Sequence, residues 1–347
     1  MNQPILILTI LTLCTFTFAA DPWKNHNKEG TQGLSGNEVQ FIKPGSDGRL
    51  WIGTMQGIGY YKAGKFTALM DKDKKGNPKP MRAQAWDILE AGPENFWIGH
   101  GGGAIRYNKG NIEHTLKGNT VAPLIQFQKG VIWTIGKDRR TEGNVLYQHD
   151  GTEWSHVERF KKERVADMFR SLNGHIWVVI DGNGVFEIDP KAGPDKATHH
   201  IEGTNVQSMA EDSRGRIWCG LWGRGVMVYD DKGWTSHLKK EKSAILSMAS
   251  DAAGGMWVAT SANGLWNYNG KTWRHDLAEE GSITLLTATS DGRVWVSSQF
   301  SGGLRYWNGK KWTESLPGPL PIRCLIEAPD KSLWAGGVLD GVHVLKK

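Results

Sequence analysis

Residues 206–237 read VQSMAEDSRGRIWCGLWGRGVMVYDDKGWTSH and hold four short runs rich in β-branched and aromatic residues. The runs cover 206–210, 217–219, 226–229 and 234–237, and turn residues such as Asp212, Gly215 and Gly225 separate them. Short β-rich runs bounded by Gly and Asp turns predict strands that pair in sequence order. This stretch therefore predicts one antiparallel sheet of four strands.

A tryptophan ends the same short phrase eight times, after a polar Gly-containing turn and one apolar residue. These tryptophans lie 36 to 46 residues apart, at Trp51, Trp97, Trp133, Trp177, Trp218, Trp257, Trp295 and Trp334. A repeat of about 40 residues with four strands in each unit is typical of β-propellers. We predict an all-β fold, an eight-bladed β-propeller of four-stranded antiparallel blades, with the repeated tryptophans buried between the blades.

The two ends of the repeat array predict how the ring closes. The last repeat has three runs, at 322–326, 333–335 and 342–345, whereas residues 21–26 carry the Trp pattern of a fourth strand. An N-terminal strand that pairs into the last blade would remove the exposed edges of an open array. We expect a single propeller domain over residues 21–347. Seven blades plus an irregular unit is the alternative, because the third repeat is the most degenerate.

An uncharged, apolar and Thr-rich segment, residues 5–20, precedes the array. It is shorter than the about 20 residues of a membrane span, and it ends in the small residues typical of a secretory signal. We predict a signal peptide over residues 1–20 and an extracytoplasmic mature chain, either periplasmic or secreted. Cleavage after Ala19 places small residues better than cleavage after Ala20. Lipidation at Cys14 is a weaker alternative, because Leu13 precedes it.

Charge and cysteine content exclude further classes of protein. The net charge of +6 is spread along the chain without a block of Lys and Arg, so we expect no nucleic-acid partner. Outside the signal segment only Cys219 and Cys324 remain, in repeats that are not neighbours. We expect two free thiols and no disulfide, so that packing alone holds the fold.

The phrase Asp-x-x-Gly-x-Ile-Trp of residues 212–218, with its Gly-flanked turn before Val226, resembles the two-component regulator propeller repeat. Residues 48–54 and 290–295 carry the same phrase. The resemblance covers nearly all of residues 21–347 and implies an extracytoplasmic sensor of the kind found in hybrid histidine kinases, often responding to carbohydrates. Since this chain ends directly after its last repeat, the resemblance implies a binding role and no kinase activity in the chain itself.

The turns between the second and third strands of each blade should share a face with the connections between blades. Propellers commonly bind ligands on this face, at the mouth of the central channel, with loops on a rigid scaffold. Aromatic, basic and amide side chains break the repeat there and suit a sugar-like or anionic ligand. The predicted ligand-binding residues are Trp222, Arg224, Phe300, Gln299, His100, Arg139, Arg140 and Asp181. A solvated funnel that binds nothing is the alternative for each of them.

Strings that suggest catalysis or metal binding fail on their context. Residues 100–103, His-Gly-Gly-Gly, copy an oxyanion loop of lipases, but no G-x-S-x-G elbow occurs in the chain. Residues 71–76 begin like a calcium loop but lack its closing Glu, and we interpret them as a charged surface loop. His199 and His200 are adjacent and should point to opposite faces of a strand. We predict no catalytic residue, no metal and no cofactor.

These patterns favour an exported, monomeric, non-enzymatic propeller that binds a carbohydrate-like or other polar ligand, or a protein partner. Fold alone does not decide function, and two alternatives stay open. One is a lyase for an acidic polysaccharide or a cyclic ester, with His100 as base and Arg139 or Arg140 as charge neutraliser. The other is a pure protein-interaction scaffold.

Overall fold

The computed structural model describes residues 23–138, 143–298, 302–316 and 322–346. Its first half begins with strand Trp23–His26 (β1). Blade 1 follows with Val39–Pro44 (β2), Leu50–Thr54 (β3), Ile58–Lys62 (β4) and Lys65–Ala68 (β5), and then a hairpin of Met70–Lys72 (β6) and Pro78–Pro80 (β7). Blade 2 is Ala85–Gly92 (β8), Asn95–His100 (β9), Gly103–Asn108 (β10) and Asn111–Thr115 (β11). Blade 3 is Thr120–Gln128 (β12), Val131–Asp138 (β13), Gly143–His149 (β14) and Trp154–His156 (β15). Blade 4 is Val165–Arg170 (β16), Ile176–Ile180 (β17), Val185–Ile188 (β18) and Thr198–His200 (β19).

The second half repeats the same plan. Blade 5 is Val206–Glu211 (β20), Ile217–Leu221 (β21), Val226–Asp230 (β22) and Gly233–His237 (β23). Blade 6 is Ile245–Ser250 (β24), Met256–Thr260 (β25), Leu265–Tyr268 (β26) and Trp273–Asp276 (β27). Blade 7 is Ile283–Ala288 (β28), Val294–Ser298 (β29), Gly302–Trp307 (β30) and Trp312–Leu316 (β31). Blade 8 contains Ile322–Glu327 (β32), Leu333–Gly337 (β33) and Val342–Leu345 (β34), and short 3-10 helices cover Glu158–Phe160, Pro194–Lys196 and Ala278–Glu280.

The N-terminal strand completes the eighth blade, as the sequence predicts. Strand β1 pairs antiparallel with β34, with Trp23 opposite Leu345 and His26 opposite Val342. The sheet order is therefore β1-β34-β33-β32. Trp23 is 6% exposed and packs edge-on against Trp295 of blade 7, with ring centroids 6.1 Å apart. The ring has eight blades, and the alternative of seven is wrong.

The eight repeat tryptophans are all buried, which confirms their predicted position between blades. The ring of Trp51 lies 4.9 Å from that of Phe96 in blade 2, and the ring of Trp218 lies 5.8 Å from that of Tyr268 in blade 6. Truncation of a fully buried Trp to Ala costs about 3–5 kcal/mol. Packing of indoles across blade boundaries is therefore a large part of what holds the ring.

The two cysteines of the described chain are free thiols, as predicted. Cys219 is buried and Cys324 partly buried. Burial raises the pKa of both thiols, that of Cys324 to about 12, so both stay protonated and unreactive at neutral pH.

Residues 71–76 form part of a hairpin, which corrects their interpretation as a loop. Strands β6 and β7 pair antiparallel, and Asp73 closes the turn between them. Its carboxylate accepts hydrogen bonds from the backbone N–H of Lys75 at 2.8 Å and of Asn77 at 2.9 Å. An Asp that bonds backbone N–H groups two and four residues ahead stabilises such a turn.

A bulge near the start of each first strand marks the entrance to the ring centre. First strands of neighbouring blades contact one another, as β20 contacts β24 and β2 contacts β32. In all eight first strands the pairing register shifts near the start, after the first residue in seven of them and after the second residue, Val121, in β12. The residues passed over are Gln40, Trp86, Ala122 with Pro123, Ala166, Gln207, Leu246, Thr284 and Arg323. Bulges often change the direction of side chains beside functional sites. The bulge residues are therefore further candidates for a ligand site, and the sequence analysis did not single them out.

Candidate functional site

Turns between second and third strands share one face with the connections between blades, as expected. Backbone hydrogen bonds join the two directly: the N–H of Met55 donates to Glu38 O at 3.0 Å, and that of Trp222 donates to Asn205 O at 3.3 Å. The same link joins Asp181 to Arg164 at 2.8 Å. We call this side of the ring the connection face. Loops tied to a rigid ring in this way hold their side chains in fixed positions.

Trp222 lies on the connection face with 62% of its surface accessible, the largest exposure of any aromatic side chain among the described buried or exposed large apolar residues. Its backbone is fixed on two sides, by the bond to Asn205 and by an antiparallel bridge to Ala244. Two bulge residues lie nearby along the backbone: Leu246, 39% exposed, and Gln207, whose amide donates to Asn205 Oδ1 at 2.7 Å. We call Trp222, Asn205, Gln207 and Leu246 the blade-5 platform.

The other predicted site residues occupy several blades. Arg224 is exposed in the same turn as Trp222, so the structure brings these two together. Asp181 is exposed in the turn of blade 4, 3.8 Å from the guanidinium of Arg164. His100 is partly buried in blade 2, where its Nδ1 accepts from Gly102 N–H at 3.1 Å. Arg139, Arg140, Gln299 and Phe300 lie outside the described residues.

Burial lowers the pKa of His100, and the charge on His114 lowers that pKa further. The imidazole is therefore neutral at pH 7. The carboxyl of Asp167, on first strand β16, shows the opposite behaviour: withdrawal from bulk water raises its pKa, although its side chain is still solvent-accessible. A carboxyl pKa is raised where too few hydrogen bonds or positive charges nearby stabilise the ionised form.

A cleft of about 880 Å³ opens on the connection face beside blade 1. Its walls come from three segments distant in sequence: residues 28–35 after β1, the turn 55–56 between β3 and β4, and residues 79–84, which span the end of the hairpin and the stretch after it. We call this the blade-1 cleft. The sequence analysis missed it, although one signal was available: the connection of residues 69–84 is long and interrupts the repeat.

The face opposite carries a shallower pocket of about 420 Å³, lined by first-to-second-strand turns of blades 4 to 7. Leu172 is 80% exposed at its edge, with its N–H donating to Glu211 at 2.7 Å. Within the described residues no cluster of three His, Cys, Asp or Glu side chains has the arrangement to hold a metal ion. No helix in the described parts of the chain is long and apolar enough to cross a membrane.

Solved structures with the same fold come from proteins of different function. The extracellular domain of the hybrid two component system BT3049 from B. thetaiotaomicron is 18% identical, with a TM-score of 0.52 over 90% of this chain, which spans 56% of that domain. Virginiamycin B lyase from Staphylococcus aureus is 12% identical, with a TM-score of 0.57 over 94% of this chain and 99% of the lyase. YCF48 bound to D1 peptide is 14% identical, with a TM-score of 0.52 over 93% of this chain and 94% of YCF48. At these identities the similarity establishes the fold alone.

Sequence comparison identifies the repeat itself. No curated protein sequence matches this chain significantly. The model of the family "Two component regulator propeller" matches residues 33–56 and 200–223, which run through β3 of blade 1 and β21 of blade 5. The chain is therefore an eight-bladed propeller that carries the two-component regulator propeller repeat.

Proposed function

We propose that this chain is an exported, non-enzymatic propeller that binds a carbohydrate-like ligand, neutral or acidic, at the blade-5 platform. The observation that carries the proposal is the exposure of Trp222 on a backbone fixed from both sides. An exposed apolar ring of this size lacks the favourable free energy that its removal from water would give. A ligand with a flat apolar face would cover it.

The chemistry around Trp222 suits a sugar ring. An indole offers a rigid apolar face, and the side-chain amides of Asn205 and Gln207 offer hydrogen-bond donors and acceptors beside it. Arg224, exposed in the same turn, would pair with the carboxylate of an acidic sugar. Few polar groups around an apolar surface are the usual composition of small-ligand sites.

The comparisons support binding in general and no particular ligand. One protein of this fold is an extracellular domain of a two component system, another is bound to a peptide and a third is a lyase. We extend only the extracellular location and the binding role to this chain. A signal peptide over residues 1–20 and a monomeric mature chain from residue 21 complete the proposal. Analysis of the N-terminus of the exported protein, and sedimentation of that protein, would test these two points.

The test of the ligand is a thermal-shift and calorimetric screen of neutral and acidic oligosaccharides against three proteins. These are the unaltered chain, Trp222→Ala, and Leu172→Ala as a control with an exposed apolar residue on the opposite face. A ligand at 100 times its Kd stabilises by about 2.7 kcal/mol. Loss of a buried aromatic contact costs about 2 kcal/mol or more, which is about thirtyfold in Kd. We expect this loss in Trp222→Ala alone.

Other outcomes would replace the proposal. Absence of binding across the panel, with a stoichiometric protein captured from the exported fraction, would establish the interaction scaffold. A new unsaturated product absorbing in the ultraviolet would establish a lyase. Equal affinity in Trp222→Ala and the unaltered chain would move the sugar site away from blade 5.

A further inference from the structure

We propose a second binding site, for a small organic anion with an apolar body, in the blade-1 cleft. The cleft lies four blades from the blade-5 platform and shares none of its residues. Its volume of about 880 Å³ is within the range of about 300–1,000 Å³ typical of small-molecule sites. The inference is independent of the proposed sugar site.

The floor of the cleft is apolar. Leu34 and Met81 are buried beneath it and Met55 is partly buried in its wall. Ala68, Pro80 and Ala83 also line it. Apolar surface in a concave site gains free energy when a ligand displaces water from it, so the cleft favours a ligand with a hydrocarbon or aromatic body.

The rim of the cleft is cationic. Lys28, Lys79 and Arg82 are exposed along it, and among the described residues none of the three has a carboxylate within ion-pair distance. Neither Asp nor Glu occurs among the described residues that line the cleft. The carboxylate of Glu29, next to Lys28 in the sequence, accepts a hydrogen bond from Asn37 Nδ2 at 2.8 Å and does not line the cleft. The charges of Lys28 and Lys79 also interact at longer range with the carboxylates of Glu29 and Asp73. Three cations without an ion-pair partner among the described residues, at the mouth of an apolar cleft, attract an anion.

The walls are held before any ligand arrives. Leu69 N–H donates to Ile58 O at 3.0 Å and Met81 N–H donates to Leu69 O at 2.7 Å, which attaches both ends of the hairpin to blade 1. Gly57 lets the end of the hairpin lie close to blade 1, since a Cβ there would stand 2.6 Å from Met81 O. A preformed site loses less entropy on binding.

One polar group that lines the cleft lacks a hydrogen-bond partner among the described residues. The hydroxyl of Ser35, which lines the cleft, is buried and has no hydrogen-bond partner among the described residues. Buried polar atoms in native proteins are nearly always hydrogen-bonded. A carboxylate or sulfonate that entered past the cationic rim and reached this hydroxyl could accept a hydrogen bond from it.

Calorimetric titration of the purified protein with octanoate, hexanoate, octylamine and acetate tests the proposal. Octanoate and octylamine share the same apolar body and differ in charge, while acetate has the charge alone. We expect octanoate to bind about fifteenfold tighter than hexanoate, because each buried methylene adds about fourfold. Octylamine and acetate should bind at least about tenfold more weakly than octanoate.

Two variants locate the site. Arg82→Glu should weaken octanoate binding at least about tenfold. Lys65→Glu makes the same charge change on an exposed residue of β5, at the turn on the opposite face, and should leave the affinity unchanged. Trp222→Ala should also leave octanoate binding unchanged, which separates failure of this site from failure of the sugar site.

The proposal is overturned by any of four results: no octanoate binding, equal affinity for octanoate and octylamine, no gain from hexanoate to octanoate, or equal losses in Arg82→Glu and Lys65→Glu. The last of these would mean that octanoate responds only to the net charge of the protein. Melting curves of both variants would confirm that each is folded, as expected for exposed positions.

Discussion

Blades 1 and 5 contain the two stretches that match the same family repeat, yet the surfaces that they present on the connection face differ. Met55 and Trp222 occupy the same position, directly after the second strand of each blade. Met55 is partly buried in the wall of a cleft, whereas Trp222 is 62% exposed. The repeat tryptophans just before them, Trp51 and Trp218, are equally buried.

The difference comes from the connection that follows each fourth strand. After blade 1, the connection of residues 69–84 contains the hairpin β6–β7, and its residues 79–84 line the blade-1 cleft together with Met55. After blade 5, the short connection of residues 238–244 only bridges back to Trp222 at Ala244. The repeat therefore fixes where a turn residue stands, and the length of the next connection decides whether that residue lines a cleft or a platform.

A substitution in the N-terminal strand should give the largest effect on stability and should affect the two regions differently. Trp23→Ala removes a buried indole from the junction of blades 7 and 8, and we expect a loss of about 3–5 kcal/mol in the free energy of unfolding. The cleft wall of residues 28–35 follows β1 directly, so octanoate binding should weaken while sugar binding at blade 5 persists. Denaturant unfolding and the two titrations measure this.

Trp273→Ala is the matched control, because Trp273 has the same position in blade 6, where the outer strand β27 directly follows its paired strand β26 in the chain. It is only partly buried, so its cost should be smaller and octanoate binding unaffected. A Trp23→Ala variant with an unchanged melting temperature would contradict closure of the ring by β1.

The indoles of Trp218 and Trp51 are held by different partners, which gives the next prediction. Trp218 Nε1 donates to Asp212 of its own blade at 2.8 Å, whereas Trp51 Nε1 donates to Glu90 of blade 2 at 2.7 Å. Asp212 is 1% exposed and also accepts from Arg216 Nε at 2.7 Å. Asp212→Asn should cost about 1.5–3 kcal/mol, the range for hydrogen bonds to a charged group. Glu90→Gln, at a less buried position, should cost less by the same denaturation measurement.

The same pair predicts a pH dependence. Burial alone would raise the pKa of Asp212, but hydrogen bonds from Trp218, Arg214 and Arg216 outweigh it and hold that pKa below its usual value. A carboxyl pKa that is lower in the folded state stabilises above the unfolded pKa of about 3.9, and the contribution is lost as pH falls further. Asp212→Asn should therefore lose stability less steeply than the unaltered chain between about pH 4 and 2. Parallel acid-unfolding curves would contradict this role.

This pair also shows how far the sequence predicts the molecule. The Asp of residues 212–218 and the Trp spacing are local, so the blades, their number and their closure follow from the sequence. Blade 1 has Gly45 where blade 5 has Asp212, and nothing local indicates that Glu90 of the next blade supplies the missing acceptor. The blade-1 cleft could not be predicted from the sequence for the same reason, because residues 28–35, 55–56 and 79–84 come together only after folding. The exposure of Trp222, in contrast, agrees with the short connection of residues 238–244 after blade 5, whose length can be read from the sequence.

Removal of the hairpin should make the surface of blade 1 more like that of blade 5, with little loss of stability. Met81 N–H already donates to Leu69 O at 2.7 Å, so an Asn-Gly turn could replace residues 70–80 between these two residues. The removed side chains are mostly exposed, and we expect a change in stability of about 1 kcal/mol or less. Loss of Lys79 and Pro80 from the cleft should weaken octanoate about tenfold, with sugar binding as the unchanged control. Undiminished octanoate affinity would exclude the hairpin from the site.

Exchanging the two turn residues should change stability by about 1 kcal/mol or less and should have the sharpest effect on specificity. Met55→Trp would place a larger side chain in the wall of the cleft, and overpacking at a partly buried site should cost about 1 kcal/mol while it reduces the space for octanoate. Trp222→Met keeps an apolar residue at an exposed site and should leave stability within about 0.5 kcal/mol, but it removes the flat ring that a sugar would cover. If connection length governs the surface, the indole introduced by Met55→Trp will not bind the sugar, because the connection of residues 69–84 still forms the cleft wall beside it. A gain of sugar binding in the hairpin-containing Met55→Trp variant would show that side-chain identity alone decides, and only its combination with hairpin removal should produce a second platform.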